Sequence, residues 1–181
     1  MVTLIIPESL PANKPAPDFS DPLGLLKACH QRISGFCDLL QKVVTHLEEH
    51  GLDNDAKQAI RKIHHYFSTA GKLHHQDEEQ DLFPILTGQS LKMAEIINHL
   101  KQDHQQLDKA WEQLEPLLSK PASIESTPDF AAKVNSLCEA YREHIKKEED
   151  DLLSIALQIL DSDQLKQLGK QMKKRRETAV F

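Results

Sequence analysis

Histidine and glutamate recur in this chain at a spacing that suits metal binding. His74 is followed four residues later by Glu78, and His144 is followed four residues later by Glu148. Residues four apart lie on the same face of an α-helix, so each pair can direct an imidazole and a carboxylate toward one point. Both groups are common ligands of transition metals, and each pair is therefore a candidate part of a metal site.

Two single histidines extend this set. His30 and His104 each interrupt the apolar stripe of a further predicted helix. Burying ionisable groups without compensation costs several kcal/mol, so two carboxylates and four imidazoles in one interior indicate a bound cation. The helices rise about 1.5 Å per residue and run in alternating directions along the bundle. On this basis all six residues fall within one layer that is about two or three helical turns thick. The predicted metal ligands are His30, His74, Glu78, His104, His144 and Glu148.

The ligand types favour iron or manganese, although they do not exclude zinc. A single ion could take two histidines and one His-Glu pair. The duplication of the pair instead favours two ions bridged by two carboxylates. Four nitrogens, two bridging carboxylates and a bridging oxide give each ion about five bonds and leave a position open. We therefore predict two iron ions in an oxo- or hydroxo-bridged centre, open to dioxygen, nitric oxide or peroxide.

Several polar neighbours of these residues are expected outside the set of predicted ligands or have more than one possible role. His75 and Glu79 are turned about 100° from the predicted ligands, so we expect them at a helix interface or in solvent. Glu149 is likewise expected away from the core-facing side. Asp108 lies one turn beyond a predicted ligand and is either an outer acceptor, an extra ligand or a solvated residue. Tyr141 either donates a hydrogen bond to a bridging oxygen or packs in the core.

Positioning six ligands at one level requires four long helices. Apolar periodicity and capping residues predict helices from residue 21 or 22 to about 49, 53 or 54 to about 86, 90 to about 118, about 128 to about 159, and 163 to about 176. The apolar stripes of the second and fourth helices continue past the ligands to Ile85, Ile155 and Ile159. Short loops favour an all-α, up-down-up-down antiparallel four-helix bundle over residues 21–160. We expect residues 1–20, which are proline-rich, to form an extended arm, and residues 161–181 to form a short helix and tail.

Composition agrees with one helical domain. The 181 residues are 39% hydrophobic and 28% charged, and only 5% are aromatic. A net charge of −6 disfavours nucleic acid as a partner, and the basic run Lys173 to Arg176 is expected to be a solvated helix end. The odd set Cys29, Cys37 and Cys138 suggests small core residues and neither a disulfide framework nor a thiolate metal site. Neither a targeting leader nor an apolar run of about 20 residues is visible, so we expect a cytoplasmic protein without a membrane partner.

The segment HHQDEEQDLFPIL at residues 74–86 resembles the HxxxEExxLFP motif of the hemerythrin-like family, also called the HHE cation-binding domain. The segment HIKKEEDDLL at residues 144–153 is similar to a second such unit. The family's single histidines match those in LLKACHQRI and LKQDHQQLDKAW, and the resemblance covers roughly residues 21–160. It implies a four-helix bundle with a di-iron centre held by the six predicted ligands.

The resemblance leaves the activity open. The HxxxH pair of oxygen-carrying hemerythrins is absent, because His99 and His104 are five residues apart. The fourth helix carries a glutamate where those carriers place an aspartate one residue further on. This pattern looks more like family members that repair iron centres or respond to nitrosative and oxidative stress. Three functions follow: binding or sensing dioxygen or nitric oxide, or buffering iron; peroxide reduction or iron–sulfur repair with an electron donor; or an interaction module with structural metals.

Overall fold

The computed structural model describes residues 17–179, and within that range the chain is helical with no β-strand. Most of the predicted N-terminal arm, residues 1–16, lies outside the described residues. The five helices are α1 (Pro22–His50), α2 (residues 54–87), α3 (Leu91–Ser119), α4 (residues 127–159) and α5 (Ser162–Thr178). Each begins within one residue of its predicted start.

Short polar side chains explain where the helices begin. A side-chain oxygen accepts a hydrogen bond from a backbone N–H of the first turn, which satisfies a donor that the helix itself leaves free. The residues that cap the five helices in this way are Asp21, Asp53, Ser90, Ser126 and Asp161. At the other end of α1, Gly51 has a φ of 70°, a conformation that favours glycine and ends the helix.

The four long helices pack in a closed cycle. Helix α1 contacts α2 and α4, and α3 contacts the same two helices from the other side. Three-residue connections join α1 to α2 and α2 to α3, and residues 120–126 join α3 to α4. These are the neighbours that the predicted bundle requires, and the up-down-up-down sense of the helices stays a prediction.

The apolar core is divided into two clusters. One contains Ile33, Leu40, Ile63, Leu107 and Leu137 among its members. The other contains Leu26, Leu82, Leu100, Leu152 and Met172. On α1 the predicted ligand His30 falls between members of the two clusters, and the same is true of His104 on α3. The polar layer therefore separates two apolar regions that hold the four helices together on either side of it.

Helices α2 and α4 contain π-helical turns, which the sequence did not predict. These turns span Phe67–Gly71 and Glu78–Leu82 in α2, and Glu148–Leu153 in α4. Two of the three begin at predicted ligand glutamates. A π-helical turn accommodates an extra residue and often marks a functional site.

The π-helical turns correct three core assignments. We predicted that Ile85 of α2 and Ile155 and Ile159 of α4 face the core, but Ile85 and Ile155 are only half-buried and Ile159 is exposed. In each case the next residue is buried instead, namely Leu86, Ala156 and Leu160. The extra residue in the preceding π-helical turn shifts the inward-facing position by one.

Helix α5 packs against α1 and α2, and part of its basic run is not solvated as predicted. Arg176 Nη2 donates to Asp77 Oδ2 at 2.8 Å, and Arg175 forms ion pairs with Asp77 and, at 2.6 Å, with Asp81. Asp77 is fully buried, and burial raises its pKa although both arginines act in the opposite direction. These contacts fasten α5 to the segment of α2 that carries predicted ligands.

The middle of α5 packs closely, at Gly169, against the backbone of Phe19. A Cβ atom at this position would lie 1.9 Å from the backbone oxygen of Phe19, so any larger residue would push α5 away from the chain that leads into α1. Cys37 and Cys138 are buried in the core as predicted, whereas Cys29 is only partly buried. No helix among residues 17–179 combines the length and the apolar character that crossing a membrane requires.

Candidate metal centre

The structure brings all six predicted ligands together in one buried layer. Each of the four long helices contributes at least one of them, and no side chain in the set is more than 2% exposed. The buried ligand candidates are His30, His74, Glu78, His104, His144 and Glu148. Ionisable groups are rarely this well buried unless they are paired or bind a metal.

Four of the six form a first group, whose possible ligand atoms all lie within 4.8 Å of one another: His30, His74, Glu78 and Glu148. His74 Nε2 lies 3.0 Å from Glu78 Oε1, and His30 Nε2 lies 3.0 Å from Glu148 Oε2. Two ligand atoms that each lie about 2.1 Å from one ion, with a right angle between the two bonds, are about 3 Å apart. The spacing therefore suits a shared metal ion.

A second group contains His75, which was predicted to lie at a helix interface or in solvent. His75, His104 and His144 offer ligand atoms within 4.8 Å of one another. The Nε2 atoms of His104 and His144 are 3.2 Å apart, and the His75 ring stacks on the His104 ring with centroids 4.1 Å apart. His75 thus faces the interior, because α2 has neighbours on both sides of its inward face and a turn of 100° still points into the bundle.

Glu78 lies between the two groups. Its Oε1 atom faces His74, while its Oε2 atom lies 3.2 Å from His104 Nε2 in the second group. One carboxylate therefore presents one oxygen to each group. This is the arrangement of a carboxylate that bridges two metal ions.

Unsatisfied buried atoms show that the layer fits a cation. Both carboxylate oxygens of Glu78 and of Glu148 are buried without a hydrogen-bond partner, and so are His30 Nε2 and both ring nitrogens of His74. The short contacts between these groups lack hydrogen-bond geometry. Leaving a buried polar group unsatisfied costs about 1 to 3 kcal/mol, so this many together need another partner. Imidazole and carboxylate donors suit a transition-metal ion in that role.

Two further glutamates, which were predicted to lie outside the site, contact the outer ring nitrogens of two of its histidines. Glu79 Oε1 lies 2.6 Å from His104 Nδ1, and Glu149 Oε1 lies 2.9 Å from His30 Nδ1. A carboxylate that accepts from Nδ1–H fixes the ring and leaves Nε2 free to bind a metal. The available signal was the Glu-Glu doublet that ends both His-Glu pairs, 78–79 and 148–149.

The carboxylates strongly affect the first group's imidazoles. Burial opposes a charge on His30, but its carboxylate neighbours, with Glu148 the largest contributor, raise the pKa of His30 to about 12. Burial also opposes a charge on His74, and Glu78 is the main group that raises the pKa of His74 to about 10. Both rings are therefore charged at neutral pH when no metal is bound.

The pKa values of Glu78 and His144 are lowered, in contrast to those of His30 and His74. Burial disfavours the charge of Glu78, but the nearby charge of His74 and contacts with two more histidines outweigh it, and the pKa of Glu78 lies well below its ordinary value. Burial lowers the pKa of His144 to about 3, so this ring is neutral. In the absence of metal, imidazolium charge thus compensates the Glu78 carboxylate, whereas burial and the nearby charge of Glu78 raise the pKa of Glu148. A metal ion would compensate both carboxylates and displace protons from the site.

The two remaining candidates lie beside the layer. Asp108 is exposed and belongs to neither group, although burial of part of its carboxyl raises its pKa. Tyr141 is buried, with its ring centroid 6.1 Å from that of His75. Both line a cavity of about 390 Å³ that also contacts His75, Glu79 and Trp111. This cavity connects the second group with the protein surface.

Comparison with known proteins agrees with this site. The family described as the hemerythrin HHE cation binding domain matches residues 21–156. A protein of Haemophilus influenzae, described only as uncharacterized, is 30% identical over 159 residues, which cover 88% of this chain and 92% of that protein. The match spans all the predicted ligands and implies that the domain binds a metal. The chain belongs to the hemerythrin HHE cation-binding domain family.

Proposed function

We propose that this protein is a non-haem di-iron protein that binds or senses dioxygen or nitric oxide. The proposed ligands are the six residues of the original prediction: His30, His74, Glu78, His104, His144 and Glu148. Iron is favoured over zinc because the buried set combines imidazoles with carboxylates, contains no thiolate and has more donors than one tetrahedral zinc ion uses.

The observation that carries the proposal is the position of Glu78. Its two oxygens face different histidine groups, at 3.0 Å from His74 Nε2 and 3.2 Å from His104 Nε2. A carboxylate that binds a single ion directs one or both oxygens toward that ion, whereas a bridging carboxylate directs one oxygen toward each of two ions. The pairing of Glu148 with His30 supports a second carboxylate at the same centre.

The protein's own residues orient the proposed ligands and limit access of water to the site where a diatomic molecule would bind. An iron ion with an open coordination position supplies the ability to bind a diatomic molecule and to change oxidation state. Glu79 and Glu149 fix the rings of His104 and His30, and the two apolar clusters limit access of water from either end of the layer. Such a site binds small ligands without needing a pocket for an organic substrate.

A second candidate function is a stress-response role, in which the same centre reduces peroxide or helps to repair damaged iron–sulfur centres. The specific feature in its favour is Glu148, four residues after His144, which resembles the pattern of the family's repair proteins more than that of its oxygen carriers. This function requires an electron donor. We propose it as the alternative.

Metal analysis tests the di-iron proposal directly. Protein purified from iron-supplemented cells should contain about two irons per chain and show near-ultraviolet charge-transfer absorption of ferric iron. The matched control is His99→Gln, which changes an exposed histidine on α3 and should leave both readings unchanged. One zinc per chain and a colourless protein would contradict the proposal.

Two further measurements separate the candidate functions. If the protein binds or senses a diatomic ligand, the reduced protein should change its visible spectrum on exposure to dioxygen or nitric oxide and recover when the gas is removed. Sustained peroxide consumption with a chemical reductant, without reversible gas binding, would favour the alternative. If the metals are only structural, neither response should appear.

A further inference from the structure

A second cavity lies between α1 and α2. It has a volume of about 580 Å³, within the range of about 300 to 1,000 Å³ that is common for pockets that bind small molecules. Arg32 and Phe36, which are four residues apart on one face of α1, line it from one side. Arg61 and Lys62 line it from α2. None of its lining residues is a proposed metal ligand, so this cavity is separate from the metal centre.

The cationic side chains of this cavity are not paired within the described part of the chain. The other arginines each pair with a carboxylate elsewhere, namely Arg142, Arg175 and Arg176. Arg32, Arg61 and Lys62 form no ion pair or hydrogen bond with a described residue, although all three line the cavity. The described lining contains no carboxylate. In a protein with a net charge of −6, this concentration of unpaired positive charge favours an anionic ligand.

Aromatic rings form an apolar part of the cavity wall. The rings of Phe36 and Tyr66 stack with centroids 4.1 Å apart and an interplanar angle of 20°. Tyr66 is buried, whereas Phe36 is only half-buried and leaves part of its ring open to the cavity. A planar ring of a ligand can pack against an aromatic side chain of this kind. The wall therefore offers a flat apolar contact beside the positive charge.

A π-helical turn contributes to the same wall. Thr69 and Ala70 belong to the turn Phe67–Gly71, and both line the cavity. The two other π-helical turns begin at the proposed ligands Glu78 and Glu148, whereas this turn contains no proposed ligand. Because π-helical turns often mark functional sites, this turn is a second indication, independent of charge, that the cavity binds a ligand.

We propose that this cavity binds a small phosphorylated molecule with a planar ring, the chemistry of a nucleoside monophosphate. A phosphate monoester carries a charge of about −2 at neutral pH, which suits several cations better than one. A guanidinium group can donate two parallel N–H bonds to phosphate oxygens. Arg32 and Arg61 bind the phosphate group, and Phe36 packs against the ring. This inference goes beyond the proposed function and does not rest on it, because it requires no metal ion.

Calorimetric titration of the protein as purified with AMP tests the inference. The titration is carried out at low ionic strength, where exposed charges are least screened. One AMP should bind per chain. Ribose 5-phosphate lacks the planar ring and adenosine lacks the phosphate, so each should bind about ten-fold more weakly than AMP or worse.

Variants of the lining residues locate the binding site. Arg32→Gln combined with Arg61→Gln should weaken AMP binding at least about ten-fold, because it removes two charge-assisted contacts to phosphate. Phe36→Leu keeps an apolar side chain without a flat ring, and should weaken binding of AMP but not of ribose 5-phosphate. The matched control, Lys92→Gln combined with Lys101→Gln, removes the same charge from exposed positions on α3 and should bind AMP as wild type does.

The outcomes separate this inference from its alternatives. No binding of AMP by wild-type protein, or equal binding by the double arginine variant, would overturn it. Inorganic phosphate that binds as tightly as AMP would also overturn it, since the cavity would then hold an adventitious ion only. A polyglutamate peptide that binds more tightly than AMP through the same arginines would overturn it in favour of an acidic polypeptide.

Two further readings keep the result clear. If the double arginine variant is not helical by circular dichroism, the single variants Arg32→Gln and Arg61→Gln provide the same comparison. Metal content is measured on the same samples. A colourless zinc protein that still binds AMP as described would contradict the di-iron proposal alone, whereas a di-iron protein that does not bind AMP would overturn this inference alone.

Discussion

Among single residues, the two adjacent glutamates of each Glu-Glu doublet have different roles. Glu148 is fully buried and has two unpartnered oxygens, whereas Glu149 is partly exposed and contacts the outer nitrogen of His30. The first is placed to bind metal directly and the second to orient a ligand. The doublet at 78–79 repeats this division, with Glu79 behind His104.

This division predicts graded losses of metal. Glu148→Ala should lower iron occupancy most, because it removes a ligand. Glu149→Gln should weaken binding by about ten- to a hundred-fold, the usual effect of losing a carboxylate behind a metal-binding histidine. Glu143→Gln, on the exposed side of α4, is the control and should bind as wild type. Iron content and competition with a chelator measure the series, and equal occupancy in the Glu148 and Glu149 variants would refute the assignment.

The charged histidines predict proton release. His30 and His74 have pKa values of about 12 and about 10 without metal, so both carry protons at pH 8 and must lose them to bind an ion. About two protons or more should therefore leave each chain as the site fills. Calorimetric titration with Co²⁺ in Hepes and in Tris, which differ in ionisation enthalpy, measures this number. Release of fewer than one proton per chain would contradict the charge state assigned to the layer.

The same shifts set the direction of the pH dependence. A histidine whose pKa is raised in the folded state stabilises that state below its unfolded pKa of about 6.5, and this contribution is lost as pH rises through the folded pKa. For His30 and His74 the contribution therefore falls progressively from about pH 6.5 and is gone by about pH 10 for His74 and about pH 12 for His30. Metal affinity changes in the opposite sense and should rise from pH 6.5 to 8.5, because fewer protons compete for the imidazoles.

At the scale of elements, the ion pairs of α5 are expected to stabilise the bundle. Asp77 is fully buried on α2, and its two partners Arg175 and Arg176 are mostly buried themselves. Removing both partners leaves a buried carboxyl without compensation, which costs about 3 kcal/mol. Arg175→Ala combined with Arg176→Ala should therefore lower the melting temperature by roughly 6 °C or more.

Two companion variants make this test specific. The exposed pair Lys173→Ala and Lys174→Ala removes the same amount of charge from α5 and should change the melting temperature little. Adding Asp77→Asn to the double arginine variant should recover part of the loss, because the buried group then carries no charge. A double arginine variant as stable as wild type would show that α5 is held by its apolar contacts alone.

At the scale of the whole molecule, metal binding and folding should be linked. An ion that binds the native layer and hardly binds the unfolded chain stabilises the fold by mass action, by about 2 to 3 kcal/mol at a hundred-fold excess over its Kd. Removing the metal should therefore lower the melting temperature by roughly 5 to 10 °C for a domain of this size. Differential scanning calorimetry of iron-loaded and verified metal-free protein measures the shift, and identical melting temperatures would argue against a buried metal layer.

The metal-free protein should nevertheless remain helical. Apolar clusters lie on both sides of the polar layer and do not depend on a bound ion for their contacts. Imidazolium charge on His30 and His74 also compensates part of the carboxylate charge at neutral pH. Far-ultraviolet circular dichroism should therefore change little on chelation, while the difference in melting temperature should grow from pH 6.5 to 8.5.

Local sequence signals predicted the features that depend on neighbours along the chain. Helix starts followed from caps such as Asp53 and Ser90, which act within one turn. The pairs at His74 and His144 followed from the geometry of residues four apart on a helix. The stripe that places His30 between Leu26 and Ile33 is equally local, and together these signals predicted the all-α fold and the six residues that meet in the layer.

The groups that lie opposite each side chain depend instead on how the helices pack. His75 turns out to face the interior because α2 has α3 on one side and α1 on the other, so directions 100° apart both reach the layer. The partners of Glu149 and of Arg175 lie 119 and 98 residues away in sequence, and no local pattern specifies them. The π-helical turns that begin at Glu78 and Glu148 depend on the same packing, because an extra residue in a helix is accepted only where the surrounding contacts favour it.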